Sequence, residues 1–412
     1  MLKSVVPSPK RRVWSRRNRS SANWAADQQE LSPAAESLED RTLLAAPHPV
    51  DLGTLNGTNG FRLDGIDVND FAGWSVSSAG DVNGDGFDDL IIGTRGAGES
   101  YVVFGRSGGY SSTIDLSTLD GTNGFRLDAN TFGISVSSAG DVNGDGFDDV
   151  IIGEHAADPG GNSHAGEIYV VFGKSAGFTS SIDLSMLDGT TGFQVDGITA
   201  GDEAGRSVST AGDVNGDGFA DLIIGAPYAD PGGDSQAGES YVVFGKSGGF
   251  ASAIDLSRLN GISGFRLDGI HERDWSGFSV SSAGDVNGDG FDDLIIGAYR
   301  ADPNGYNYAG ESYVVFGKSS GFASAIDLGT LNGTNGFRLD GSERDESGWS
   351  VASAGDVNGD GFDDLIVGAR AVSSARGAVF VVFGKSGGFA STFDLNGLTG
   401  TTGFRLSGDR AR

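Results

Sequence analysis

The chain has 412 residues, no cysteine and a formal net charge of −28. The lack of cysteine excludes disulfides, thiol nucleophiles and thiolate metal centres, and no apolar run approaches the ~18 residues of a membrane-spanning helix. The acidity excludes nucleic acid as a partner, because that binding needs a basic footprint on the folded domain.

Residues 1–46 differ in composition from the rest, with 8 Lys/Arg against 5 Asp/Glu and most of the positive charge between Lys10 and Arg19. They lack the apolar core of about 7–15 residues that a secretory signal carries. The stretch Leu38 to Ala45, L-E-D-R-T-L-L-A, resembles the LEPR-XLL segment near the N-termini of large bacterial surface and exported proteins. The expectation is a disordered basic leader or targeting segment over 1–46, bacterial-type export, and a secreted or cell-surface protein. The folded body then covers 47–412.

From residue 81 onward a nonapeptide, D-x-N-G-D-G-x-x-D, recurs five times, starting at Asp81, Asp141, Asp213, Asp285 and Asp356. Spacings of 60, 72, 72 and 71 residues mark a repeat architecture. Side-chain oxygens fall at positions 1, 3, 5 and 9, with the carbonyl of position 7 as a further donor. The expected ligands are Asp81, Asn83, Asp85, Phe87 and Asp89; Asp141, Asn143, Asp145, Phe147 and Asp149; Asp213, Asn215, Asp217, Phe219 and Asp221. The last two loops supply Asp285, Asn287, Asp289, Phe291 and Asp293, then Asp356, Asn358, Asp360, Phe362 and Asp364. Such a hard, flexible, all-oxygen cage suits Ca2+ better than octahedral Mg2+, and about five sites follow. An EF-hand would need Glu at position 12 and flanking helices. That position is Ile92, Ile152, Ile224, Ile296 or Val367, inside β-branched runs that read as strands. Position 8 is Asp88, Asp148, Asp292 and Asp363 but Ala220 in the third copy, so it reads as turn decoration and not as a ligand.

Four strands are predicted per repeat. Ser75–Gly80 is built of small residues, suited to a crowded centre. Asp89–Gly93 and Ser100–Gly105 are apolar runs buried on both faces, and Gly124–Asp128 alternates like a half-exposed rim. With 70 glycines for tight turns and no sustained helical periodicity, the fold class is all-β: a β-propeller of about five four-stranded blades. Calcium loops lie between first and second strands. The repeats run near 71–128, 132–196, 204–268, 276–340 and 347–408.

The unit resembles the FG-GAP repeat of integrin α-chain propellers. Phe132-Gly133 and Gly225-Ala226-Pro227 match its two signatures literally, and the other copies are degenerate: Ser276-Gly277, Ser347-Gly348, Gly297-Ala298-Tyr299, Gly368-Ala369-Arg370. The resemblance implies calcium on one face and ligand contact on the other. It departs from the integrin propeller's seven blades in having five complete motifs, with six rim strands at Phe61, Phe125, Phe193, Phe265, Phe337 and Phe404. The expectation is five blades closed by pairing near the termini.

No catalytic constellation is recognised: the carboxylates recur five times, whereas catalytic groups are usually unique in a chain. The function expected is a calcium-binding extracellular binding or adhesion module for a protein or polysaccharide ligand. The alternative is a polysaccharide-active hydrolase or lyase on the same scaffold. The variable connections opposite the calcium loops, with Trp275, Arg300, Tyr306 and Tyr308, are the candidate ligand patch.

Overall fold

The computed structural model describes residues 51–96, 98–129, 131, 134–372 and 376–408. The expected leader and Phe132-Gly133 lie outside them. The chain divides into two units, Met1–Leu52 and Gly53–Arg412, and the second is a β-propeller of five four-stranded blades.

Each repeat folds into its blade in chain order. Blade 1 is Ser75–Gly80, Asp89–Gly93, Glu99–Val103 and the rim strand Gly124–Asp128. Blade 2 is Ile134–Gly140, Asp149–Glu154, Glu167–Val171 and Gly192–Asp196. Blade 3 is Ser207–Gly212, Asp221–Ala226, Glu239–Val243 and Gly264–Asp268. Blade 4 is Ser279–Gly284, Asp293–Ala298, Glu311–Val315 and Gly336–Asp340, and blade 5 is Ser347–Gly355, Asp364–Ala369, Ala378–Val382 and Gly403–Ser407. All four strands of a blade pair antiparallel, for example Ile91 with Val102 and Val102 with Phe125.

A fifth, three-residue strand was not predicted. Leaving its third strand, the chain runs back to pair in parallel with the rim of the preceding blade. Ser181–Asp183 lies on Arg126–Asp128, Ala253–Asp255 on Gln194–Asp196, and Ala325–Asp327 on Arg266–Asp268. Thr392–Asp394 finishes blade 4 in the same way. The Asp ending each linking strand then caps a 3-10 turn, as Asp115 does by accepting from Ser117 N–H at 2.9 Å.

The hydrophobic core sits between blades. Ala79, Val82, Ile91, Val102 and Phe125 on the rear of blade 1 meet Val136, Val150, Ile152 and Tyr169 on the front of blade 2. Three more cores of the same make join blades 2 to 3, 3 to 4 and 4 to 5. Small residues line the first strand because first strands pack side by side along the series. A Cβ on Gly80 would stand 2.3 Å from the Asp148 carboxylate of the next blade, and one on Gly84 would stand 2.3 Å from the Phe147 ring. Those approaches, with φ of 73° and 72°, require glycine.

The expected closure by terminal pairing is not what the sheets contain. The surplus rim strand, Arg62–Asp64, pairs with the linking strand Thr113–Asp115, and Phe61 stacks on Tyr110 at 4.2 Å. Among the described residues, blade 5 holds its own four strands and no linking strand. The first strands of blades 5 and 1 do not pack as the others do.

Candidate functional site

Two surfaces carry chemistry: the five nonapeptide loops, and the opposite face formed by the connections that enter each blade and join its second and third strands.

Each loop is wound on its own side chains. Asp81 accepts from the N–H groups of Asp85 (3.0 Å) and Gly86 (2.8 Å). Asn83 accepts from Asp85 N–H at 2.8 Å, and Asp85 from Phe87 N–H at 3.0 Å. Asp141, Asp213, Asp285 and Asp356 bind their loops through the same donors. Positions 1, 3 and 5 are thereby gathered at the surface, where the Asn83 amide also donates to Asp85 at 3.1 Å and the Asn143 amide to Asp145 at 3.0 Å.

Position 9 differs. Asp89 is fully buried, with one oxygen accepting from Val82 N–H (3.0 Å) and the other from Gly105 N–H (2.7 Å). Asp149, Asp221, Asp293 and Asp364 repeat this pair of bonds. Burial first, and the like charges of positions 5 and 1 second, raise Asp89 to about 7 and Asp149, Asp221 and Asp293 to about 8. Among the described residues no three Asp, Glu or His side chains stand at metal-holding distances. The donors still fit calcium by their chemistry: an oxygen-only set on glycine-rich backbone, with a buried carboxylate whose charge no cationic side chain balances.

The position 7 ring does not enter its own blade's core. Phe147 packs against Gly84 in the loop of the preceding blade, and Phe219 against Gly144. Position 8, read as turn decoration, is a tie between blades. Asp148 accepts from Asp81 N–H at 2.9 Å, Asp292 from Asp213 N–H at 2.7 Å, and Asp363 from Asp285 N–H at 2.9 Å.

On the opposite face the structure collects an aromatic and cationic cluster across blades 3 to 5, with Tyr299 buried at its centre and Tyr228, Trp275, Phe278 and Trp349 half-buried. Trp275 meets Tyr228 edge-on at 4.8 Å and Tyr299 at 5.7 Å. Phe278 packs on Tyr299 at 4.6 Å and on Trp349 at 4.8 Å, and Tyr299 touches Trp349 at 4.6 Å. The Arg300 guanidinium lies 3.7 Å from the centre of the Trp275 ring, and that of Arg370 lies 3.4 Å from Trp349. Glu346 pairs with Arg370, and Glu203 with Arg206 at 2.9 Å. Of the expected residues, Trp275, Arg300 and Tyr308 come together here. Tyr306 stands half exposed on the same connection.

Sequence reasoning missed Tyr228, Phe278, Tyr299, Trp349 and Arg370. The signal lay in the degenerate motifs: Tyr299 and Arg370 occupy the place of Pro227, and Phe278 and Trp349 each follow a degenerate Phe-Gly pair. A second signal is visible only in the backbone. All eleven non-glycine residues with positive φ among those described, including Glu203, Gln236, Trp275, Tyr308 and Glu346, lie in connections of this face. They are held across neighbouring connections, as when Trp275 N–H donates to the Gln236 carbonyl and Glu346 N–H to the Tyr308 carbonyl. Backbone kept in so sparsely populated a region needs a surround that over-determines it, and such positions cluster at functional surfaces.

The FG-GAP repeat profile matches residues 72–111, 132–171, 204–243, 276–315 and 347–382, one match per blade. The chain belongs to the FG-GAP repeat family. This FG-GAP protein is 28% identical to integrin alpha-5 of Xenopus laevis over 239 residues, 56% of this chain and 20% of that one. It is 30% identical to integrin alpha pat-2 of Caenorhabditis elegans over 240 residues, 57% of this chain and 17% of that one. It is 33% identical to phosphatidylinositol-glycan-specific phospholipase D of Bos taurus over 161 residues, 39% of this chain and 18% of that one. The matches thus cover a fifth or less of these relatives. No helix among the described residues is long and apolar enough to cross a membrane.

Proposed function

We propose that this FG-GAP propeller is a calcium-stabilised extracellular binding module whose ligand, a protein or a polysaccharide, meets the face opposite the nonapeptide loops. The observation that carries this reading is the edge-to-face cluster of Trp275, Phe278 and Trp349 around the buried Tyr299, with the guanidinium groups of Arg300 and Arg370 over its Trp rings. Large rings and Arg held on rigid backbone give contact area at small cost in side-chain freedom, the usual make-up of a binding hot spot. Calcium would be held by positions 1, 3, 5 and 9 and the position 7 carbonyl of each loop. It would neutralise the buried position 9 carboxylate, so that the metal keeps the scaffold and the other face meets the ligand.

An enzyme on the same scaffold is the second reading, favoured by the phospholipase relatives and by a 530 Å³ cleft in blade 3 lined by Asp202, Glu239, Tyr241 and Arg266. The carboxylate network there recurs, however: Glu239 bonds Tyr241 and pairs with Arg266, as Glu311 does with Tyr313 and Arg338. A group repeated in successive blades reads as framework. Screening purified protein against glycans and matrix proteins, scored for retention and for turnover, separates the two. Trp275→Ala with Tyr306→Ala should abolish retention and leave calcium binding intact. Turnover that survives this double change would overturn the binding reading.

A further inference from the structure

Three guanidinium groups meet the aromatic cluster, and two of them are neutralised within it. Arg206 lies 5.5 Å from the Phe278 ring and pairs with Glu203 at 2.9 Å. Arg370 lies over Trp349 and pairs with Glu346. Glu203 and Glu346 hold the same place in their blades, directly after a buried Asp of the entry segment, Asp202 or Asp345. In blade 4 that place, after the buried Asp274, is Trp275. Arg300 therefore meets an indole ring at 3.7 Å where a carboxylate stands in the neighbouring blades.

Among the described residues no Asp or Glu lies at ion-pair distance from Arg300. Its Nε is buried without an acceptor, and the polar group it faces is the Tyr299 hydroxyl. The half-exposed Tyr308 ring stands 5.7 Å away. A guanidinium keeps its charge in a protein and carries its N–H donors in a fork that matches a carboxylate. Stacking covers its face and leaves the donors at its edge, while partial burial strengthens the pull on an arriving anion. Arg300 is a cation set out for an anion from outside the cluster.

Beside it lies a place for an uncharged group. Trp275 donates from Nε1 to the Gln236 side-chain oxygen at 3.3 Å and meets Tyr228 edge-on at 4.8 Å, and both partners line the 530 Å³ cleft of blade 3. That cleft is polar and acidic, with Asp202, Asp230 and Glu239 against the cation Arg266. Hydroxyl groups find acceptors there, whereas a second carboxylate would be repelled.

We infer that the ligand of this face is an acidic polysaccharide in which acidic and neutral sugars alternate, a uronate carboxylate lying on Arg300 and the adjoining neutral sugar in the cleft. The inference rests on the reading of this face as the binding face and names its ligand class. A sugar chain suits the site better than an acidic protein side chain, because it brings a charge and, next to it, a set of hydroxyl groups. Those are the two needs that stand on either side of Trp275. The net charge of −28 does not oppose this, since at physiological salt charges more than about 8 Å away are largely screened.

The test measures binding of the full chain, in calcium, to three immobilised probes. They are hyaluronan, which alternates a uronate with a neutral sugar, the same polymer with its carboxyl groups reduced to alcohols, and poly-glutamate. Wild type is expected to bind hyaluronan about tenfold or more tighter than the reduced polymer, the worth of one charge-assisted bond. Arg300→Gln should remove that difference, and Arg300→Lys, which keeps the charge without the fork, should remove most of it. Trp275→Glu places the acid of blades 3 and 5 on a backbone that suits it, since φ is 58° at Trp275 and 54° and 51° at Glu203 and Glu346. It should bind hyaluronan about tenfold more weakly than Trp275→Gln, from which it differs only in charge. The inference is overturned if wild type holds none of the probes, if the reduced polymer binds as tightly as hyaluronan, or if Arg300→Gln binds like wild type. It is equally overturned if poly-glutamate is held as tightly through Arg300, which would make the ligand a protein. If Trp275→Ala abolishes a retention that Arg300→Gln leaves intact, the face is right and the anion is wrong. Hyaluronan held undiminished by both variants sinks the two readings together.

Discussion

The carboxylate of Asp148, in blade 2, accepts a hydrogen bond from the backbone N–H of Asp81, in the loop of blade 1, at 2.9 Å. It fills the space left by Gly80, whose missing Cβ would collide with it. A side chain of one loop thus fixes the loop of its neighbour, at three of the four inner junctions; at the fourth, Ala220 takes its place.

Asp148→Ala and Asp292→Ala should each cost about 1–2 kcal/mol, the worth of a charge-assisted hydrogen bond whose donor is left half-buried. The reverse change is more telling. Ala220 is the one position 8 without a carboxylate, so Ala220→Asp should add the missing tie to Asp141 N–H and gain roughly 1 kcal/mol. Urea midpoints of the three variants check both signs.

Calcium removal should lower the melting temperature by many degrees. Five loops without metal gather like charge, and the chain has no disulfide to compensate. With calcium about tenfold above its dissociation constant, each site adds roughly 1.4 kcal/mol. Calorimetry with and without chelator reads the total. Asn83→Ala or Asp85→Ala should lose about one metal equivalent by titration and Asp88→Ala none.

Stability should also fall as pH rises through the window set by Glu154. This fully buried carboxyl, bonded to the Thr131 hydroxyl and facing Glu167, is raised from 4.5 to about 7, chiefly by burial. Because the folded value lies above the unfolded one, the fold prefers the protonated acid. That preference is intact below pH 4.5 and is lost between 4.5 and about 7. At pH 8 the ionised group costs on the order of 3 kcal/mol. Glu154→Gln should therefore stabilise the protein at pH 8 and have little effect at pH 4, read as the difference in urea midpoints.

Restoring the family motif should dismantle the aromatic cluster, at a cost in packing but not in blade backbone. Tyr299 stands where blade 3 has Pro227, so proline suits that backbone. Tyr299 is buried, so Tyr299→Pro should cost about 3 kcal/mol in lost packing as it removes the ring on which Trp275, Phe278 and Trp349 converge. Retention on the ligand found by the screen should drop at least tenfold.

The blade strands were legible because each is a run of fixed composition. Ser75–Gly80, Asp89–Gly93 and Gly124–Asp128 are observed as read, and the third strand, read as Ser100–Gly105, begins one residue and ends two residues earlier, at Glu99–Val103. The linking strand Thr113–Asp115 was not legible: three residues show no period, and its partner lies in the preceding repeat. Position 8 was misread for a related reason. Comparing copies reveals which residues vary, but Asp148 acts on a loop 67 residues away, and no local pattern records that. The aromatic surface hid in departures from the motif, since Tyr299 and Arg370 looked like decay of a signature and are in fact its content.

The linking strands also decide how this architecture can be cut and joined. Each rim is finished by three residues of the following repeat, so a boundary drawn between blades in space severs a strand pairing. A boundary drawn at any fixed point of the repeat, whose spacing runs from 60 to 72 residues, severs none that the next copy does not restore. Duplication or loss of one whole period would insert or remove a blade with both of its seams already matched. The molecule is therefore divisible only in units of its own repeat, and grafts of a single blade should be taken from one rim strand to the next.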